Sequence, residues 1–475
     1  MNRRVREREQ AAADAPVKWL LGRGAAFSTA SLARALATVV MLPLVTRVLA
    51  PDALGVVAIA AVVSSLLLSV GSLVLHSAAN REYFGHDGGS ADPRLGRALG
   101  VLAVVAVAAA GLVVHAAGDQ WVRLLGDVGY DRALQLAVLT AVPMVLVVVT
   151  QNLLRAEDRA LPFVVVALLS TVGGQILGLV LASAHDGDPV WYLTGVFSGY
   201  AVAGVGSAIV VKLRPGRVDR SQLKRALAIG LPTVPHSVGI FLLATGDRLV
   251  IERLEGVAEV GRYQVAYLVG SAGVVLVMAF NAAWAPLIFG ADAEVRDRTL
   301  RDTTAAAQRL LSLVAAGLAV GAPLALAIAA PADYDTDNLV LVAALIAPAG
   351  LLYVRYQSAA LALVASRRTG PLALATPLAA GFNLAANLVL VPVWGLEGAA
   401  IATTISYGVW ALVIELAVPE PARGPSWWRE ILIVGAGLMA AVLMPMAGLW
   451  IVCRVIVLAA IGGRFAVELR HFVRS

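Results

Sequence analysis

The chain has 475 residues, 59% of them hydrophobic and 14% charged, with a mean hydropathy of +0.82. Soluble domains carry about 25% charge, so an ordinary water-soluble enzyme is excluded, and the single Cys453 excludes an internal disulfide or a zinc or iron–sulfur site built from cysteines. The net charge of +6 rests on 37 basic residues, nearly all arginine, whose positions along an apolar chain carry information about topology rather than about nucleic acid.

The N-terminus, with Arg3, Arg4, Arg6 and Arg8, precedes a long apolar run without a cleavage pattern, so residues 1–23 read as a retained cytoplasmic segment. A hydrocarbon core about 30 Å thick needs about 20 apolar residues per helix. Apolar runs of that length occur at 24–46, 54–79, 99–117, 133–154, 160–184 and 190–211, a first set of six. Residues 212–225, KLRPGRVDRSQLKR, are the longest basic break between spans: either a plain cytoplasmic loop or a linker between two six-helix lobes. A second set follows at 226–246, 263–289, 309–330, 339–365, 371–392 and 397–417. The block 427–469 is too long for one helix and divides into a final pair at Met444–Gly448. The expected fold is an all-α polytopic membrane protein of about fourteen transmembrane helices, with lobes at 24–211 and 226–417.

With the N-terminus inside, 28 of the 37 basic residues fall in cytoplasmic segments and six in outer loops, while Arg34, Arg355 and Arg454 lie within spans. The positive-inside rule therefore puts both termini in the cytoplasm. No outer loop is long enough for a catalytic domain. Lysine never follows glycine, so there is no G-x-x-x-x-G-K phosphate loop, and the six histidines show no metal-ligand spacing. Movement rather than bond-making is the expected activity: a transporter, not an enzyme, with no cofactor and no metal.

Several motifs in order resemble one family. Pro43-Leu44-Val45-Thr46-Arg47-Val48-Leu49-Ala50-Pro51-Asp52-Ala53-Leu54-Gly55 is similar to the first helix and loop of bacterial oligosaccharide flippases. Gly230-Leu231-Pro232-Thr233-Val234-Pro235, Asp247-Arg248-Leu249-Val250-Ile251, Val260-Gly261-Arg262-Tyr263 and Ala285-Pro286 resemble their second-lobe signature. Val391–Thr403, with Gly395, Gly398, Ala399 and Ala400, resembles the pattern near their twelfth helix. The resemblance is to the polysaccharide transporter (Wzx-like) branch of the multidrug/oligosaccharidyl-lipid/polysaccharide exporter superfamily. It implies two pseudo-symmetric six-helix bundles in a V plus two C-terminal helices, in a bacterial plasma membrane. The implied cargo is a polyprenyl-diphosphate-linked oligosaccharide, moved from the inner to the outer leaflet by alternating access. The expected partners are that lipid, the surrounding membrane lipids and polysaccharide polymerase machinery, with no nucleic acid.

An arginine at the centre of a span costs about 2.5–3.5 kcal/mol on insertion scales, so it faces a cavity or a partner. Arg34 shares a face of span one with Ser31 and Thr38, which suits a guanidinium gripping phosphate or a packed contact with a neighbouring carbonyl. Arg355 in span ten has Tyr356, Gln357 and Ser358 beside it, a diphosphate or sugar grip or a packed polar group. Arg454 reads as a residue snorkelling to an interface. Span seven carries a stripe at helical spacing from Thr233 through His236 to Asp247, in which His236 is either a lumen-facing group or a packed histidine. Asp247-Arg248 reads as a gate ion pair with the other lobe or as an exposed pair of little worth. Asn80 and Arg81 mark the cytoplasmic entry. The rival readings are a lipid II flippase and a cation-coupled multidrug antiporter. The antiporter would want buried carboxylates, whereas the acids here lie almost entirely in loops.

Overall fold

The computed structural model describes residues 37, 39–72, 75–84, 92–124, 129–231, 234–291, 293–420, 423–444 and 449–474. Among them every regular element is a helix and none is a strand, as expected where no water is available to pair an open sheet edge.

In the first half the principal helices are α1 (Val39–Val48), α2 (Pro51–Gly71), α3 (Leu75–Phe84), α4 (Pro93–Ala116), α5 (Arg132–Ala156), α6 (Ala160–Ser183) and α7 (Pro189–Val210). Proline opens α2, α4 and α7, where its missing N–H costs nothing, and Asp92, Asp131 and Asp188 cap α4, α5 and α7 through their side chains. Helix α8 (Arg220–Gly230) follows the basic stretch. It starts with a capping box in which Ser221 Oγ also donates to Asp219 at 2.7 Å, and that bond holds the Asp219 carboxyl below the usual carboxylate range.

The second half comprises α9 (Val234–Thr245), α10 (Asp247–Glu255), α11 (Val257–Gly270), α12 (Ala272–Gly290), α13 (Ala293–Ala329), α14 (Leu339–Ile346), α15 (Ala349–Ala365), α16 (Gly370–Leu416), α17 (Trp428–Leu443) and α18 (Leu449–Arg474). Packing groups α2 and α4–α7 into one body and α9–α16 into another, with α17 and α18 lying against α13.

Among the described residues ten helices are long and apolar enough to cross a bilayer, or eleven when α9 and α10, bent by 46° across Gly246, count as one span. The expected fourteen is not reached among the described residues, for physical reasons. Most of the 24–46 segment lies outside the described residues. Helix α16 is 47 residues long, about twice a crossing, and contains Gly395 at φ 54°, ψ −132°. A side chain on Gly398 would overlap the Leu390 carbonyl, so the chain folds back there rather than running straight. The expected span 263–289 is two helices that meet at Ser271, and α17 has only 16 residues.

The two bodies are joined mainly by α2 against α11. One hydrophobic cluster crosses the join, with Val45, Leu49 and Ile59 from the first half beside Val250, Tyr263, Leu326 and Val391 from the second. At the same end the Thr46 hydroxyl donates to the Ala329 carbonyl at 2.6 Å and Tyr334 to the Leu49 carbonyl at 2.7 Å. Two further clusters lie one within each body.

A neutral cavity beside a buried ion pair

The break at Gly246 places Asp247 at the first turn of α10, where the helix N-terminus favours a carboxylate. Asp247 and Arg248 are 1% and 3% exposed. The Arg248 guanidinium lies 2.6 Å from Asp247 Oδ1, donates to the Ala244 carbonyl at 2.7 Å, and reaches Gln264 Oε1 through Nε and Nη2 at 3.2 and 3.1 Å. Its plane sits 3.9 Å from the centre of the Tyr267 ring. Tyr263 donates to Asp247 Oδ2 at 2.7 Å, and Thr403 lies 3.3 Å from the same oxygen. Each of these partners belongs to the second half. The pair is therefore neither exposed nor an ion pair across the lobes: it is a buried, compensated unit that ties α10 to α11 and α16. A buried pair of this kind stands only with such additional hydrogen bonds.

Gln264 also lines a cavity of about 150 Å³ together with Met41, Leu42, Val57, Ala61, Gln175 and Tyr192. The last four of these also border a second cavity of about 240 Å³, so the two adjoin. The polar lining of the larger one is Ser64, Ser65, Thr140, Ser170, Thr171, Gln175, Tyr192 and Tyr200, and among the described residues neither cavity is lined by a charged side chain. The local cause lies in α6, which widens into a π-turn at Leu169–Gly173. Single π-turns inside helices are frequent at functional sites, and this one carries Ser170 and Thr171. Helices α6 and α7 approach closely at Gly174 and Gly178 opposite Gly199 and Gly195, which brings Gln175, Tyr192 and Tyr200 to the same space.

The residues singled out in the sequence are dispersed. Ser31, Arg34 and Thr38 lie outside the described residues, as do the side chains of Asn80 and Arg81. Arg355 is 4% exposed and faces no cleft: it pairs with Glu415, donates to the Pro425 carbonyl at 2.7 Å and lies over the Trp427 ring. It thereby clamps the segment after α16, and the surrounding atoms leave no room for a ligand. Ser358 is hydrogen-bonded to Thr304 at 2.6 Å, and Tyr356 is stacked 3.5 Å from Trp410; Gln357 is half-buried. His236 is half-buried on α9, which packs against α16. Arg454 does not snorkel. It is buried and caps the end of α17, donating to Ala441, Met444 and Val320 carbonyls. No group of acidic, histidine or cysteine side chains among the described residues could hold a metal.

Gln175, Tyr192 and Gln264 were missed by sequence reasoning, which searched for charge. Their signal was available as polar residues within apolar runs, Ser64-Ser65 in α2 and Ser170-Thr171 followed by Gln175 in α6.

No curated protein sequence matches the chain. Among solved structures it is similar to the lipid II flippase MurJ in an inward closed conformation, with a TM-score of 0.72 at 13% identity over 94% of this chain and 98% of that one. An inward-facing multidrug resistance MATE transporter of the MOP superfamily gives 0.63 at 17% identity over 86% and 98%. A Vibrio cholerae MATE transporter gives 0.59 at 15% over 90% and 98%. The fold is thus that of the exporters of this superfamily, as the motif resemblance implied. The model of one family, described as polysaccharide biosynthesis protein, matches residues 44–332, more than half of the chain. The chain is a multi-pass membrane protein with the fold of these exporters and belongs to the polysaccharide biosynthesis protein family.

Proposed function

We propose that the protein is a flippase that carries a polyprenyl-diphosphate-linked oligosaccharide from the inner to the outer leaflet of a bacterial plasma membrane, with both termini in the cytoplasm. The observation that carries this reading is the pair of adjoining cavities, the larger inside the first lobe and the smaller where that lobe meets Gln264 and Leu268 of the second: lined by hydroxyls and amides and, among the described residues, by no carboxylate of the kind a cation antiporter needs. A glycan is the cargo such a lining suits, because each hydroxyl of a sugar needs a hydrogen-bond partner once it leaves water. The membership in a polysaccharide biosynthesis family agrees with it.

In this reading Arg34 supplies the fixed charge for the diphosphate, while the lipid tail stays in the bilayer. The lobes are closed at the end that carries Thr46, Leu49 and Tyr334, which the basic-residue count makes the outer face. Alternating access then opens this end. With an inside-negative potential, each outward-moving negative charge is favoured by about 2.3 kcal/mol per 100 mV, so the potential drives export.

The test is leaflet-resolved translocation in proteoliposomes. A fluorescent polyprenyl-diphosphate oligosaccharide becomes accessible to an impermeant glycosidase only after flipping. Protein-dependent exposure is expected, slowed by Arg34→Ala and by collapse of the potential. Exposure no faster than in empty liposomes sinks the reading. The likeness to MurJ gives lipid II as the competing cargo, and faster flipping of lipid II than of the oligosaccharide would favour it.

A further inference from the structure

Four of the hydroxyl groups in the larger cavity are not free to donate. Ser64 Oγ lies 2.9 Å from the Ala60 carbonyl and 2.7 Å from that of Ala137, Thr140 donates to Leu136 at 2.6 Å, and Ser170 and Thr171 both donate to Ala167, at 3.2 and 2.6 Å. A hydroxyl has one proton and two lone pairs. With the proton committed to a helix carbonyl, each of these oxygens offers only acceptor capacity to whatever enters. The donors that remain for an entering ligand are the Gln175 amide, half-buried and without a protein hydrogen bond among the described residues, and the hydroxyls of Ser65 and Tyr192.

We propose that this cavity is a sugar-reading subsite that admits an uncharged, hydroxyl-rich ring and rejects a ring bearing a carboxylate. The proposal rests on the flippase reading and adds the class of sugar that the site accepts. A neutral sugar brings O–H donors to four waiting acceptors and takes one or two bonds from Gln175, while the rings of Tyr192 and Tyr200 cover its C–H faces. An ionised carboxylate is acceptor-only. It would face the same lone pairs with no cation on the lining among the described residues, and burying an uncompensated charge is far more costly than burying a hydroxyl. At about 240 Å³ the space is below the ~300–1,000 Å³ of drug-sized pockets, which limits it to one sugar unit at a time.

The experiment measures binding to the full-length protein in lipid nanodiscs, using octyl β-glucoside and octyl β-glucuronide below their micellar concentrations, with partitioning into empty nanodiscs subtracted. The tails are identical, so the headgroup decides. At pH 7 the glucoside is expected to bind at least about tenfold tighter. Gln175→Leu and Thr171→Val are each expected to weaken the glucoside about three- to tenfold, the worth of one lost hydrogen bond. Leu161→Ala, on the lipid face at 74% exposure, leaves both affinities unchanged. Equal affinities, a tighter glucuronide, or wild-type glucoside binding in both cavity variants overturns the proposal. Loss of this selectivity in a protein that still flips lipid-linked oligosaccharide removes the subsite alone. Selectivity retained in a protein that flips nothing removes the translocation reading alone.

Discussion

Gly55 and Gly261 touch backbone to backbone across the two halves of the protein. Each is the fifth residue of its helix, α2 or α11, and the contact is reciprocal. A side chain on Gly55 would overlap the carbonyl of Val257, the first residue of α11, and one on Gly261 would overlap the carbonyl of Pro51, the first residue of α2. A local two-fold relation between the lobes therefore passes through this point, and only hydrogen fits there. Both glycines fall within motifs that carry the family resemblance; the structure makes them contact partners.

Substituting either glycine should part the lobes at this end. Gly55→Val or Gly261→Val places side-chain atoms against backbone that cannot rotate away, so relief requires helix separation. Spin labels at Asp52→Cys and Arg253→Cys, in a Cys453→Ser background, are expected to report a longer distance in either variant. An unchanged distance distribution would refute the assignment of this contact as the closure.

Removing the Asp247 charge should unfold the second half more readily. Asp247→Asn leaves the Arg248 guanidinium buried opposite a neutral amide, a class of change that costs about 3–5 kcal/mol. Thermal unfolding in detergent should show a large fall in midpoint, partly recovered in Asp247→Asn/Arg248→Gln. Equal midpoints for the wild type and Asp247→Asn would contradict the compensated-pair description.

Arg355 should behave as a clamp on the chain after α16. Arg355→Ala and Glu415→Gln are both expected to increase hydrogen exchange and protease cutting across residues 417–427, with no selective loss of substrate affinity. A variant with wild-type exchange in that segment but a raised substrate KM would instead make Arg355 a substrate contact.

Arg454→Leu strips donors from three carbonyls, those of Ala441 and Met444 at the end of α17 and that of Val320 on α13. Each buried acceptor left unpaired costs about 1–3 kcal/mol, so fraying of residues 440–456 should appear in hydrogen exchange, with the rest of the protein unaffected. Protection equal to wild type there would show that the cap is dispensable.

Much of the architecture was legible because membrane insertion is close to a local sum. About 20 apolar residues suffice to mark a crossing whatever lies elsewhere in the chain, and capping aspartates and N1 prolines mark where helices start. Helix ends within the bilayer were less legible. Gly395, which turns α16 back, falls in the gap expected between the spans 371–392 and 397–417, whereas Ser271, which divides α11 from α12, sits in a run whose hydropathy hardly changes. The candidate site was legible mainly as intramembrane charge. That signal picked out Arg355 and Arg454, which the structure places in packing roles, and passed over Gln175 and Gln264.

By itself, then, the sequence determined that the chain lives in a membrane, that it crosses many times as helices, and which exporter branch its motifs resemble. Only the tertiary structure decided which polar groups are available to a ligand. Availability depends on partners remote in the chain: Glu415 neutralises Arg355 from 60 residues away, and Ser64 spends its proton between its own helix and Ala137 on α5. Hydropathy is additive along the chain, whereas the satisfaction of a charge or a hydrogen bond is a property of what stands beside it in space.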